Sequence, residues 1–333
     1  MTIMFTKHTF TMLAGVAAMA TASLVMAQDY PTDEVKLLVN YGAGGSVDRT
    51  ARSVQPFLPD ALGAHVIVEN VGGAGGKVGM RKFMQEDRDG YTVLTAFAPA
   101  TTYAKFTEEG LFEMDDLAVI NVQWIDPGIL LAHEGTGWSS LSDFIEYARA
   151  NPGDVTFGSS GQGSVGPILA RQLFNAFDLD VRIVPYKGGG ATRKAFAGGE
   201  VDLTAAGAGG ATSIADSAVV LGLFGEAGSA PDWPDAPSIN AELDAGGYET
   251  DVPEGGAYRF FAVHSDVKET YPERFQTLVD AFEQTVTQNA EFKARAEGSG
   301  VGTDWLGPES SQQLIKKVDQ QFTDILQSEA DAS

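Results

Sequence analysis

The sequence contains no cysteine and few basic residues, and these shortages exclude several kinds of protein. Without cysteine the fold has no disulfides, and thiol catalysis and cysteine metal sites are excluded. Only 22 lysines and arginines stand against 45 acidic residues, so the 333-residue chain has a formal charge of −23. Such a surface repels nucleic acid and anionic lipid. The same acidity is equally explained as an adaptation to salty surroundings, so it does not identify a ligand.

Apolar runs long enough to cross a membrane are also missing. The run at residues 12–25 is shorter than the ~20 residues of a spanning helix, and polar residues and a glycine interrupt it. A short basic region precedes it, and Val25 and Ala27 stand at the minus three and minus one positions of a secretory cleavage site. We predict a signal peptide over residues 1–27, cleaved after Ala27, rather than a permanent membrane anchor. The mature chain is expected to be soluble and exported, with a formal charge of −24, because residues 1–27 hold one lysine and no acid.

The chain does contain an alternation of strand and helix patterns, which is typical of an α/β fold with mostly parallel sheets. Residues 28–333 are enough for two domains. Apolar runs predict strands at residues 35–41, 65–70, 89–97 (with its turn), 154–160 and 182–186. Helical spacing predicts helices at residues 49–62, 141–150, 193–198, 272–297 and 308–327.

Two glycine-rich segments look like nucleotide sites, but both lack essential residues. In ENVGGAGGKVG (69–79), Val71 replaces the first glycine of a P-loop, and Val78 replaces the hydroxyl that binds magnesium. GQGSVG (161–166) matches the dinucleotide spacing, yet the next strand ends in Pro-Tyr-Lys instead of the acid that holds a ribose. The sequence therefore predicts no cofactor, and the second segment is also explained as a turn that lets strand and helix pack closely.

Signatures of hydrolases and metal enzymes are incomplete as well. The glycines around Ser164 do not form the G-x-S-x-G elbow. Of the three histidines after residue 27, none lies in a metal-binding motif. We predict no catalytic residue and no metal site.

Uncharged hydrogen-bond donors, in contrast, accumulate where helices are predicted to begin. Ser46, Ser159, Ser160 and Ser164 stand beside glycines whose backbone amides lack side-chain obstruction. Helix N-termini favour anions, so these donors, together with Lys187, could hold a carboxylate in an otherwise acidic protein. A single serine in such a position is more often a plain helix N-cap.

A weak internal sequence similarity places two of these loops in equivalent positions. VKLLVNYGAGGSVDRTAR (35–52) and VTFGSSGQGSVGPILAR (155–171) share the order strand, glycine-rich loop with Gly-Ser-Val, and helix with Ala-Arg. We interpret them as matching edges of two similar lobes, where ligands of open α/β sheets bind.

The run KLLVNYGAGGSVDRTAR resembles the first strand and loop of the Bug-type extracytoplasmic solute receptors. These receptors are the substrate-binding subunits of tripartite tricarboxylate transporters. Four further segments agree in the same order: VIVENVGGAGGKVG, DGYTVL, GSSGQGSVGPILARQLF and VPYKGGGATRKAFAGGEVD. The resemblance spans essentially all of residues 30–330.

The resemblance implies a two-lobed periplasmic binding protein with mostly parallel sheets, flanking helices and an interlobe ligand cleft. Lobe one is expected at residues 28–128 plus 250–333, and lobe two at residues 129–249. Such a protein captures a mono- or dicarboxylate in the periplasm and delivers it to integral membrane transporter subunits, as a monomer without catalysis. A secreted α/β enzyme acting on a small carboxylate is the alternative, followed by a nucleotide-binding domain.

The same resemblance implies that two loops grip the carboxylate through backbone amides, hydroxyls and water. The expected ligand-binding residues are Tyr41, Gly44, Gly45, Ser46 and Asp48 on one side, and Ser160, Gly161, Ser164, Tyr186 and Lys187 on the other. Asp48 is expected to brace its loop, and Asp202 is a further candidate for a ligand amine or hydroxyl. The sequence departs from the family pattern at four positions: Asn40, Ala43, Lys77 and Pro167. These departures leave the identity of the ligand open.

Overall fold

The computed structural model describes residues 30–161 and 163–331; the predicted signal peptide, residues 1–27, lies outside the described residues. The strands are β1 Val35–Val39, β2 Val66–Asn70, β3 Thr92–Ala98, β4 Leu117–His133, β5 Thr156–Ser159, β6 Arg182–Pro185, β7 Leu203–Gly207, β8 Ala218–Phe224 and β9 Gly256–His264. The α-helices are α1 Ser46–Val54, α2 Leu58–Leu62, α3 Lys77–Met84, α4 Ala100–Phe106, α5 Leu141–Ala150, α6 Val165–Ala176, α7 Gly189–Ala197, α8 Ala208–Ala211, α9 Ile239–Ala245, α10 Ser265–Thr270, α11 Pro272–Glu283, α12 Ala290–Gly298 and α13 Gly307–Asp331. None of these helices is long and apolar enough to cross a membrane.

The strands form one curled sheet in the order β2-β1-β3-β9-β4-β7-β5-β6, with β8 paired to β4. Strand β1 runs parallel to β2 and β3, and β5 runs parallel to β6 and β7. The predicted α/β class is confirmed. Strands β4 and β9 add antiparallel pairings between these two parallel groups.

The long strand β4 connects the two parts of the sheet. Its residues Leu117–Pro127 pair with β9, whereas Gly128–His133 pair with β7 and β8. We call β1, β2, β3, β9 and the first part of β4 the first half, and β5 to β8 with the rest of β4 the second half. The chain returns from the second half at Gly255, whose amide donates to the Phe224 carbonyl and whose carbonyl accepts from Gly128.

Both faces of the sheet are covered, which explains why its strands are almost continuously apolar. Neighbouring residues of β1 show this, since Leu37 packs in a cluster with α1, α2, α11 and α12, while Leu38 packs in a cluster with α3 and α13. In the second half, Leu130 joins the cluster containing α5 and α6, and Leu131 joins the one containing α7 and α8. Burial on both sides fixes the strand positions and thereby the loops at their carboxyl ends.

Three predicted helical spans differ most from the helices observed. The span 49–62 forms two helices, because Pro56 has no amide hydrogen with which to continue the ladder of α1. The span 272–297 is divided by a π-helical turn, and α12 restarts where the Asn289 side chain accepts from the Phe292 amide. Helix α7 begins at Gly189, so the preceding glycine-rich loop supplies its first turn.

Candidate ligand-binding cleft

Loops at the carboxyl ends of β1, β5, β6 and β7 surround a cavity of about 590 Å³. Both halves of the sheet contribute to it. The first wall consists of Gly44, Gly45, Ser46, Arg49 and Phe97. The second wall consists of Ser160, Ser164, Val165, Gly166, Gly189, Gly190, Arg193, Ala206, Gly207, Gly209, Gly210, Thr212 and Ser213. The floor consists of Asp126, Ala257 and Arg259, which lie where the chain crosses between the halves.

The first wall presents the start of helix α1 to the cavity. Gly45 is the N-cap and makes no side-chain cap, and the Ser46 hydroxyl has no hydrogen-bond partner among the described residues. The first amides of a helix lack an intrahelical acceptor, and the helix dipole adds partial positive charge there. This wall therefore offers uncharged donors to an anion.

Asp48 holds the first loop in shape and does not line the cavity. Its carboxylate accepts from the Gly44 amide at 2.8 Å, from Asn70 at 2.9 Å and from Arg52 at 2.9 Å. Burial alone would raise the pKa of Asp48, but these three hydrogen bonds outweigh it and leave the pKa below its ordinary value.

The segment at residues 69–79 supports the first wall from behind. The Tyr41 hydroxyl donates to the Gly75 carbonyl at 2.7 Å, and the Tyr41 ring packs 5.3 Å from that of Phe97, which faces the cavity. Burial raises the pKa of Tyr41. A Cβ at Gly79 would overlap the backbone of Asn40, so glycine lets α3 approach the loop closely.

The side chain of Lys77, the cation in this segment, does not face the cavity. Its amine donates to the Thr107 hydroxyl at 3.3 Å, and Lys77 is not among the lining residues. Tyr41 likewise supports the wall without lining the cavity.

The second wall presents the start of helix α6. Ser164 is the N-cap residue but makes no side-chain cap, and neither its hydroxyl nor that of Ser160 has a partner among the described residues. A Cβ at Gly166 would overlap the Ala205 carbonyl. Glycine at this position therefore allows α6 to rest directly on β7, which fixes Ser164 at the cavity.

Three other residues predicted for the second wall lie outside the lining. Gly161 shapes the turn with a φ of +126° and accepts from the Ser164 amide at 3.1 Å. Tyr186 packs against the cluster around α7, where burial and neighbouring Glu200 raise its pKa, and Lys187 is exposed.

Asp202, the further candidate, is also not among the lining residues. Its carboxylate accepts from the amide and hydroxyl of Thr156, at 2.8 and 2.6 Å. These bonds join the start of β5 to the residue before β7.

Sequence motifs missed the charged residues of the cleft. Arg49 lies in α1, Arg193 in α7 and Arg259 in β9, so the three guanidinium groups are far apart in the chain and belong to no shared motif. Burial lowers the pKa of Arg193, and the positive charge of Arg49 lowers it further. An arginine stays protonated at neutral pH in any case, so both groups act as cations here.

The floor of the cleft contains a buried ion pair. Arg259 donates to Asp126 at 3.0 Å, and its guanidinium lies 3.7 Å from the centroid of the Trp124 ring. The other Asp126 oxygen accepts from the Gly209 amide at 2.8 Å, which ties the floor to the second wall. Burial lowers the pKa of Arg259, while the charge of Asp126 opposes that effect.

Comparison with known proteins identifies the family. The model for tripartite tricarboxylate transporter family receptors (TctC) matches residues 50–325. The chain belongs to this family. The match includes the second wall and the floor of the cleft and begins directly after Arg49.

Individual members resemble this TctC-family receptor to different extents. An Agrobacterium vitis relative, the UPF0065 protein in the TAR-I ttuE-ttuC' intergenic region, is 31% identical over 194 residues, which are 56% of each chain. Matches to such relatives span only 55–62% of the relatives' own length.

Solved structures cover the family fold more completely. The periplasmic binding protein BugD superimposes with a TM-score of 0.72 at 23% identity, covering 90% of this chain and 98% of that one. MatC from Rhodopseudomonas palustris, solved with bound malate, gives a TM-score of 0.72 at 20% identity, covering 89% and 99%. At these identities the likeness establishes the shared fold.

Proposed function

We propose that this protein is a periplasmic solute-binding receptor that captures a small mono- or dicarboxylate in its cleft. It delivers the ligand to the membrane subunits of a tripartite tricarboxylate transporter. The observation that carries the proposal is a cleft of donors and unpaired cations in a strongly acidic chain.

Charge supports an anionic ligand. The 333 residues carry a formal charge of −23, yet three arginines and one aspartate are the ionisable residues among those that line the described cleft. A positive site in a negative protein needs a local reason, because the overall field opposes an approaching anion. Binding of a carboxylate supplies that reason.

The uncharged donors support a carboxylate in particular. The hydroxyls of Ser46, Ser160 and Ser164 lack protein partners among the described residues, and free amides begin α1 and α6. Planar carboxylates accept several such hydrogen bonds at once, and each bond to a charged acceptor is stronger than one to a neutral acceptor. Malate bound to MatC, a protein of the same fold, is consistent with this ligand class.

The lobes of the proposed receptor follow the two halves of the sheet. Lobe one comprises residues 28–128 plus 250–333, and lobe two comprises residues 129–249. The walls of the cleft belong to different lobes, so a ligand that contacts both stabilises a closed arrangement over an open one. We propose that the receptor is a monomer, exported to the periplasm with its signal peptide cleaved after Ala27.

The ligand is proposed to leave chemically unchanged. The described lining residues include no histidine, lysine or cysteine, and Asp126 is engaged by Arg259 and Gly209. A base would have to reach a substrate proton directly or through one water, and the one carboxylate among the described lining residues is already paired. Receptor function therefore fits this site better than turnover.

Isothermal titration with C3 to C8 mono- and dicarboxylates tests the proposal. The double variant Ser46→Ala/Ser164→Ala should weaken binding of the best ligand by at least about a hundredfold, since each removed hydrogen bond to a charged group contributes about 1.5–3 kcal/mol. Magnetic resonance of the recovered ligand reports whether it was altered.

Ser310→Ala/Ser328→Ala is the matched control, because both serines are exposed on α13, away from the cleft. It should bind like the parent protein. Equal affinity of the cleft variant and the control, or consumption of the acid, would contradict the proposal.

A further inference from the structure

The cleft has an excess of two positive charges. Among its described lining residues, Arg259 and Asp126 neutralise each other through their 3.0 Å ion pair. Arg49 and Arg193 have no carboxylate partner among the described residues. Within the described part of the chain, the Arg49 guanidinium donates to the Ser299 carbonyl alone, at 3.0 Å, and lies 5.6 Å from the Trp124 ring centroid. Both cations are therefore available to a ligand.

The two arginines occupy similar places in the first turns of helices on different walls. Arg49 follows Ser46 by three residues in α1, and Arg193 follows Gly190 by three residues in α7. Residues three apart lie on the same face of a helix, so each guanidinium stands one turn behind free first-turn amides. Each wall thus combines a helix N-terminus with a cation.

A second observation points to an unsatisfied site between these walls. Arg259 on the floor is only 5% exposed, and its Nε has no hydrogen-bond partner among the described residues. Burial lowers the pKa of Arg193, and the positive charge of Arg49 lowers it further; the pKa of Arg259 is lowered by burial, raised by Asp126 and lowered again by the charge of Arg49. Mutual repulsion of the two walls therefore opposes closure of the empty cleft.

Apolar residues line the same cavity as the two arginines. Phe97, Val165, Ala206 and Ala257 contribute apolar surface to the same cavity. This combination suits a molecule with a short carbon chain between two anionic ends.

We propose that Arg49 and Arg193 make the cleft selective for dianionic ligands, with one carboxylate of a dicarboxylate against each wall. The inference rests on the proposed receptor function and narrows its ligand class. A dianion cancels the excess charge and relieves the repulsion between the walls, whereas a monoanion leaves one guanidinium desolvated without a partner. Loss of a partner for a buried charge is costly, so the preference for dianions is built into closure.

Titration of diacids against their mono-amides tests this selectivity at neutral pH. Succinate with succinamate, glutarate with glutaramate and adipate with adipamate are matched in length and shape and differ by one charge. The parent protein should prefer its best diacid over the matched mono-amide by at least about tenfold, as expected for one charge-assisted hydrogen bond. The preference should shrink as salt is added, because the screening length shortens.

Arg49→Gln and Arg193→Gln should each lower affinity for the diacid more than for the mono-amide and reduce the preference to about threefold or less. Arg49→Lys and Arg193→Lys retain the charge and should keep most of the preference, which separates charge from folding defects. Arg88→Gln is the control, because Arg88 pairs with Asp266 at an exposed position outside the cleft.

Three outcomes are decisive. A salt-dependent preference that falls to about threefold or less in both glutamine variants supports the inference. Equal binding of diacid and mono-amide by the parent, or an unchanged preference in the glutamine variants, overturns the inference while the receptor function stands. Absence of binding by every carboxylate overturns both.

Discussion

The guanidinium of Arg259 lies 3.7 Å from the ring centroid of Trp124, the position of a close cation–π contact. The two residues stand on neighbouring strands, β9 and β4, and are paired in register. Asp126 completes the arrangement by accepting from Arg259 on one side and from Gly209 on the other. This buried group joins both halves of the fold at the floor of the cleft.

Asp126→Asn should destabilise the protein strongly, because it leaves the buried guanidinium without a countercharge. Breaking a buried ion pair from one side costs about 3–5 kcal/mol. Urea unfolding measures the loss. The control is Asp266→Asn, which breaks the exposed pair with Arg88 and should cost about 1 kcal/mol or less.

Adding Arg259→Gln to Asp126→Asn should recover part of the lost stability, since the second change removes the unpaired charge. Residues in one ion pair are expected to be non-additive in this sense. Losses that simply add, or an Asp126 variant no worse than the Asp266 control, would show that the pair does not stabilise the floor.

Asp48→Asn should weaken the first wall and change the pH dependence of stability. The pKa of Asp48 is lowered in the folded state, so its stabilisation is complete above the unfolded pKa of about 3.9 and is lost as pH falls towards the folded value. At pH 7 the variant should be less stable by about 1–3 kcal/mol, the cost of disturbing hydrogen bonds to a charged group.

Urea midpoints between pH 7 and pH 2.5 give the comparison. The parent and Asp48→Asn should converge as the pH falls below about 4, because the parent then loses the contribution that the variant lacks. Asp33→Asn, at an exposed position, serves as the control. A gap between parent and Asp48→Asn that is constant over the whole range would contradict the assigned role of this carboxylate.

Gly166→Ala should damage both stability and ligand affinity. The added Cβ overlaps the Ala205 carbonyl, so α6 must move away from β7 and carry Ser164 with it. Overpacking of this kind costs about 1–3 kcal/mol. Thermal unfolding and titration with the best carboxylate measure the two effects.

Gly298→Ala is the matched control, because a Cβ there meets nothing within 4 Å and the residue ends helix α12. Alanine favours helix over glycine, so stability should hold or rise by up to about 1 kcal/mol. If Gly166→Ala behaved like this control, close packing of α6 on β7 would not fix the second wall.

Local patterns in the sequence predicted β1, β2, β3, β5 and β6, but they did not predict β7, β8 or β9. Strand β1 and helix α5 lie close to their predicted bounds. The apolar run of β1 and the N-cap serine of α5 are local features, which can be recognised from a few consecutive residues. Strand β4 was not predicted. It is buried on both faces, and the Asp126-Pro127-Gly128 sequence in its middle is typical of a turn, although here it marks the crossing between the halves.

The same distinction applies to the cleft. Ser46, Ser160 and Ser164 could be proposed from sequence because each stands in a glycine-rich segment between a strand and the start of a helix, and all three line the cavity. Arg49 and Arg193 could not, because only the folded sheet brings α1 and α7 to opposite walls. Tyr41 and Asp48 were grouped with them as ligand-binding residues, but hydrogen bonds to the loop hold both behind the wall.

Thermal unfolding across a ligand panel tests the central claim of carboxylate capture most directly. The panel contains C3 to C8 mono- and dicarboxylates, aromatic acids, acidic amino acids, citrate, NAD and ATP. Saturation at 100 times Kd adds about 2.7 kcal/mol to the free energy of unfolding, which raises the midpoint by several degrees. The account predicts such a shift with one class of carboxylate, recovered unchanged; a shift with nucleotides alone, or with no member of the panel, would contradict it.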